Sequence, residues 1–104
     1  MTTEDFDKYI GERIELCKDV LLNKAKEYAT EDRLHNFKIA GEMQGCTPVK
    51  ALAGMMAKHT VSVYDLINNY EKGKKPDWEM WEEKIGDHIN YLLLLYALLN
   101  ENEL

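Results

Sequence analysis

The stretch WEEKIGDHINYLLLLYALLN, residues 81–100, constrains this chain more than any other. Read at roughly 100° per residue, it begins as an amphipathic helix and becomes apolar around its whole circumference within two turns. Trp78, Trp81, Ile85, Ile89, Leu92, Tyr96 and Leu99 form one stripe, read as the core-facing one. Glu83, Asp87, Asn90 and Leu94 share the opposite face, and Tyr91, Leu93, Leu95, Ala97 and Leu98 fill the remaining directions. A helix at the surface of a small monomer keeps its second face polar, so something must bury this one. A chain of 104 residues has few layers to supply. The expectation is therefore a homo-oligomer formed through the fourth helix.

The remainder of the chain reads as helix almost throughout, in one domain spanning residues 1–104. Thr3 caps a first helix whose stripe is Phe6, Ile10, Ile14, Cys17, Leu21, Ala25 and Tyr28, fading near Thr30. A short helix follows from Asn36 to about Gln44 and ends at Gly45. Thr47 and Pro48 suit the N-cap and first turn of a third helix, with Val49, Leu52, Met56, Thr60, Val63 and Ile67 on one face. Gly73 closes that helix, and Asp77 caps the fourth. The fold class is all-α: a bundle of three long helices and one short helix, completed by oligomerisation.

Composition narrows the function classes. A net charge of −6 argues against direct nucleic-acid binding, which needs a basic stripe to neutralise phosphates. Small phosphorylated ligands stay possible, because one metal ion or a few local lysines outweigh the global sign. Two cysteines, far apart, fit a reduced intracellular protein better than a zinc site or a disulfide framework. The N-terminus is acidic and lacks a signal-peptide apolar core, and the apolar run from Tyr91 to Leu99 is too short for a membrane span. A cytoplasmic protein without membrane contact is expected.

Several polar residues break the amphipathic pattern. Glu83 and Asp87 are like charges four residues apart, an arrangement that a cation makes acceptable, whether a lysine or Mg²⁺. Two solvated carboxylates offset by Lys84 and His88 would account for the same pattern. Lys24 falls inside the apolar stripe of the first helix, either snorkelling to water or meeting an anionic ligand with Glu27 one turn on. His59 sits at the edge of the third helix's stripe, where a half-buried core histidine is the plain reading. The link TEDRLHNF is dense in polar groups, so Asp32, Arg33, His35 and Asn36 either cap helices or line a mouth. Phe37 anchors the short helix. Met55, Met56, Trp78 and Trp81 read as core. Glu12 and Glu15 look like a paired-glutamate metal motif but lie away from the apolar stripe and read as surface. No glycine-rich phosphate loop is present.

The order KEYA, RLHNFK, AKHTVSVYDL and EEKIGDHINYLLLLYALL resembles the small phage and bacterial proteins called nucleotide modification associated domain type 1, over roughly Lys24 to Glu101. That resemblance implies an all-helical protein associated with nucleotide or DNA-base modification. By position it implies functional roles for Asn36, Lys58, His59, Asp87 and Asn90, with Glu27, Glu83 and Tyr91 as further candidates. The fourth helix is also similar to the MazG-like and dimeric dUTPase group of nucleotide pyrophosphatases. Their Glu-Glu-x-Gly-Asp signature compares with Glu83-Lys84-Ile85-Gly86-Asp87, with Lys84 in place of the second glutamate.

Three functions follow as expectations. In the first, the chain binds a nucleotide and hydrolyses a nucleoside phosphate with Mg²⁺. Asp87, Glu83 and Glu27 then hold the metal, and Asp87, Glu83 and His59 form the catalytic set. Lys58 and Lys24 neutralise phosphate, Asn36 and Asn90 read the base or sugar, and Tyr91 or Phe37 stacks. In the second, the same pocket sequesters a nucleotide without catalysis, as a counter-defence sponge would. In the third, the chain is an adaptor whose fourth helix serves only assembly.

Overall fold

The computed structural model describes residues 1–27 and 32–103, and the side chains of all of these except 24–27 and 102–103. Four helices account for the described elements, in the order α1 (Thr3–Glu27), α2 (His35–Gln44), α3 (Pro48–Glu71) and α4 (Trp78–Glu103). No strand occurs among the described residues, so the all-α class holds. Among the described residues, no helix is long and apolar enough to cross a membrane.

The helix boundaries follow local chemistry. Thr2, rather than Thr3, caps α1: its Oγ1 accepts the Asp5 amide at 3.0 Å. Gly45 takes the left-handed conformation at φ 68° and ends α2, with the Cys46 amide donating to the Gly41 carbonyl at 2.9 Å. Two residues on, Thr47 Oγ1 accepts the Lys50 amide at 3.1 Å and Pro48 occupies the first position of α3. Gly73, at φ 82°, carries the chain out of α3, and α4 begins directly after Asp77.

Among the described residues, α3 packs against both α2 and α4, and α1 packs against α4. The core proper is the cluster Leu34, Phe37, Leu52 and Leu98, flanked by Val49, Met55, Met56, Tyr91, Leu94 and Leu95. Gly41 lets α2 approach the turn before α3, since a Cβ there would lie 2.8 Å from the Cys46 carbonyl oxygen. α1 is held by Arg13, whose guanidinium crosses Gly86 and donates to the Glu82 carbonyl at 3.2 Å. The radius of gyration is 16.0 Å, against about 13 Å for a close-packed chain of this length.

The inward face of α4 corrects the sequence reading. Leu98 is 1% exposed and Asn90 is buried, whereas Trp78 is 73% and Tyr96 69% exposed. Leu92 and Leu99 are exposed as well. The face bearing Asp87, Asn90 and Leu94 therefore turns inward, and Trp78, Leu92, Tyr96 and Leu99 of the stripe expected in the core turn outward, while Ile89 is half-buried. Trp81 is half-buried, its ring edge-on to Tyr70 at 6.3 Å. The α1 stripe behaves alike: Cys17 is buried, but Phe6, Ile10 and Ile14 are exposed.

Candidate functional site

The turn before α2 is built around Asp32. Its Oδ1 accepts the Leu34 amide at 3.0 Å and its carbonyl accepts the His35 amide at 3.1 Å. Lys38, one turn into α2, donates back to Asp32 Oδ2 at 2.6 Å and also reaches Glu101 near the end of α4. The hydrogen bond from Lys38, followed by the Leu34 amide, holds the Asp32 carboxyl below its ordinary range. The hydrogen bond to Asp32, and then that to Glu101, raises Lys38. This tie fixes the start of α2 against the end of α4.

So held, α2 presents Asn36, Phe37, Ile39, Ala40 and Met43 to a cavity of about 480 Å³, with Arg33 and His35 at its start. α3 contributes Met55 and His59, one turn apart, and α1 contributes Leu21. α4 contributes Asp87, Asn90, Tyr91 and Leu94, the i, i+3, i+4, i+7 spacing of a single helical face. The volume falls in the ordinary range for small-molecule sites, about 300–1,000 Å³.

Inside the cavity three groups converge. His59 Nδ1 lies 3.9 Å from Asp87 Oδ2, an electrostatic neighbour beyond hydrogen-bond length. The His59 ring lies over Tyr91 with centroids 4.6 Å apart and planes 30° apart. Phe37 meets the same tyrosine edge-on at 6.5 Å. Asn90 is 6% exposed, and its Oδ1 has no hydrogen-bond partner among the described residues. The pocket thus combines aromatic faces, one carboxylate, an imidazole and a buried acceptor.

Six of the sequence candidates meet there: Asn36, Phe37, His59, Asp87, Asn90 and Tyr91. Two do not. Lys58 is exposed on α3 and is absent from the cavity wall. Glu83 is also exposed, its carboxylate 3.8 Å from the Lys84 amine, and it lies outside the wall. The readings for Lys24 and Glu27 fall on side chains outside the described residues. Of the two readings left open for the polar link, Arg33 and His35 line the cavity, while Asp32 serves as the cap. Met55, read as core filler, both packs on the core and lines the wall. Its dual position had no signal in the sequence, because a thioether suits either environment.

Mg²⁺ is fitted only in part by these residues. Among the described residues, no three histidine, cysteine or carboxylate side chains come together, and Asp87 is the only carboxylate in the wall. A magnesium ion can use one carboxylate when substrate phosphates and water complete its shell. Of the three carboxylates expected from the sequence, Asp87 lines the cavity, Glu83 lies outside the wall, and the Glu27 side chain falls outside the described residues. Comparisons with models of known families, with curated proteins and with solved structures find no match.

Proposed function

We propose that this chain binds a nucleotide in the cavity between α2, α3 and α4. One observation carries the reading: Phe37, His59 and Tyr91 line, together with Asn36, Asp87 and Asn90, a space of about 480 Å³ that suits a flat heterocycle with polar edges. Base–aromatic stacking contributes about 1–3 kcal/mol per base, enough to matter in a pocket this small. The motif order that resembles nucleotide modification associated proteins supports the same ligand class. It also supports a role in nucleotide or base modification, or in withholding a nucleotide from another pathway.

Hydrolysis stands one step further out. The His59–Asp87 neighbourhood supports proton transfer in the cavity, but no step through Mg²⁺ follows from the described carboxylates. The deciding experiment incubates the protein with ribo- and deoxyribonucleotides, with and without Mg²⁺, and identifies bound and free material by mass spectrometry. One nucleotide retained intact at fixed stoichiometry is the expected result. Mg²⁺-dependent conversion of that nucleotide would make the protein an enzyme, and retention of none would remove the reading.

The outward apolar side chains support assembly with a second copy through α4. Leu92, Leu93, Tyr96 and Leu99 are exposed along one helix, and contiguous apolar surface of this kind marks an interaction site. Such an assembly leaves the nucleotide reading unchanged, because the cavity wall uses the other side of α4.

A further inference from the structure

We propose that α1 and α4 together form the face on which a second copy of this chain docks. Two α1–α4 pairs then stack about a two-fold axis as a four-helix bundle. The inference rests on the assembly through α4 argued above, and adds α1 and a groove between the two helices to the contact.

α1 is poorly covered by its own chain. Of its described side chains only Cys17 is buried, with Arg13 and Leu21 half-buried. Arg13 meets Glu82 and Gly86, and Leu21 shares the cavity wall with Asn90 and Leu94, so α1 and α4 run side by side in the same direction. Between them lies a groove of about 680 Å³, walled by Tyr9 and Leu16 of α1 and by Trp78 and Ile85 of α4. Tyr9 and Trp78 are both more than half exposed, so the groove opens to water. Val20 continues the face one turn past Leu16, and Leu92 and Tyr96 continue it two and three turns past Ile85. Glu12 and Glu82 also line the groove and add polar groups to its apolar wall, the mixture that interfaces carry.

Area selects the occupant. With about 150–250 Å² for a whole aromatic side chain, the apolar side chains of this face leave on the order of 800 Å² in water. A stable interface covers about 800 Å² per partner, whereas the largest apolar patch on a typical monomer is about 300–600 Å². A small molecule in the groove would cover Tyr9, Leu16, Trp78 and Ile85 but leave Leu92 and Tyr96 exposed, further along α4. The occupant therefore carries an apolar surface several helical turns long. This chain presents such a surface itself, and a two-fold axis lets each copy cover the other with the same residues. The nucleotide cavity lies on the other side of α4 and stays clear of the contact.

The test is sedimentation equilibrium of the full chain, without nucleotide, over a wide range of concentration. The parent is expected to dimerise. Tyr9→Glu with Leu16→Glu is expected to raise the dimer's dissociation constant at least about a hundredfold, because docking would bury two unpaired charges. Tyr64→Glu, on the exposed side of α3, is expected to leave it unchanged. Trp78 gives a second readout, since the chain has two tryptophans and Trp81→Phe leaves Trp78 as the reporter. Its emission should move to longer wavelength as the dimer dissociates on dilution. A dimer that survives Tyr9→Glu with Leu16→Glu but is broken by Tyr96→Glu with Leu99→Glu would overturn the part of α1 and leave assembly through α4 in place. The same Trp78 emission in dimer and monomer would place the contact elsewhere and overturn the proposal, and it decides the matter even if the α1 variant fails to fold. A parent monomeric at every concentration would remove both readings and leave the face to another protein.

Discussion

His59 and Tyr91 come from different helices and stack face to tilted face, 4.6 Å between ring centroids. The pair couples the wall of the cavity to the core, because Tyr91 also packs on the Leu34–Phe37–Leu52–Leu98 cluster. Replacing Tyr91 by Leu keeps an apolar side chain there and removes the flat surface. Nucleotide Kd should rise about tenfold, in line with loss of one stacking platform. Calorimetric titration of the variant checks this, and an unchanged Kd would place the base elsewhere.

Leu52 is fully buried in that cluster and Leu93 is exposed on the outward side of α4. Leu52→Ala should cost about 2–5 kcal/mol in urea unfolding, as deletion of a packed leucine does. Leu93→Ala should cost under about 0.5 kcal/mol at low protein concentration. A cost for Leu93→Ala that grows with concentration would show that a second copy covers it.

Two helical glycines should respond unequally to alanine. Gly41→Ala places a methyl 2.8 Å from the Cys46 carbonyl oxygen, a backbone atom that cannot swing away. A loss of about 1–3 kcal/mol is expected in denaturant unfolding. Gly86→Ala meets only the end of the Arg13 side chain, at 3.3 Å. That side chain can shift, and alanine's better helix propensity should leave the variant within about 1 kcal/mol of the parent.

The Asp32–Lys38 tie predicts a pH response with a definite sign. Asp32 is lowered by Lys38, so its contribution is present above the ordinary carboxylate value of 3.8 and is lost as pH falls through the depressed folded value. Lys38 is raised, so its contribution is present below 10.5 and is lost as pH climbs through the elevated folded value. Melting temperature followed against pH should show the parent more stable than Asp32→Asn at neutral pH. The two curves should converge at the acid end. Parallel curves at all pH values would mean the tie is not stabilising.

Assembly through α4 has its own test. Tyr96→Glu with Leu99→Glu places two charges on the exposed face of α4 without touching the cavity wall. Sedimentation should show an oligomer for the parent and a monomer for the double variant, with nucleotide binding retained. A monomeric parent would leave this face unpartnered by its own kind.

The helix ends were readable from sequence because each depends on chemistry within a few residues. Gly45 and Gly73 adopt the left-handed backbone, Thr47 caps α3 through its own hydroxyl, and Pro48 follows it at the first helical position. Asn36, Phe37, His59, Asp87, Asn90 and Tyr91 stood out one by one in the sequence, and three helices place them at one cavity. Which side of α4 turns inward was not legible. A helix apolar on every side satisfies its burial preference in more than one orientation, and only packing against α3 and α1 selects between them. That selection brought Asp87 and Asn90 into the wall and turned Trp78 and Tyr96 outward. It also leaves Glu83 with Lys84, outside the site. Local hydrogen bonding and backbone preference thus set where each helix starts and stops, while contacts between helices far apart in the chain decide which residues share a pocket.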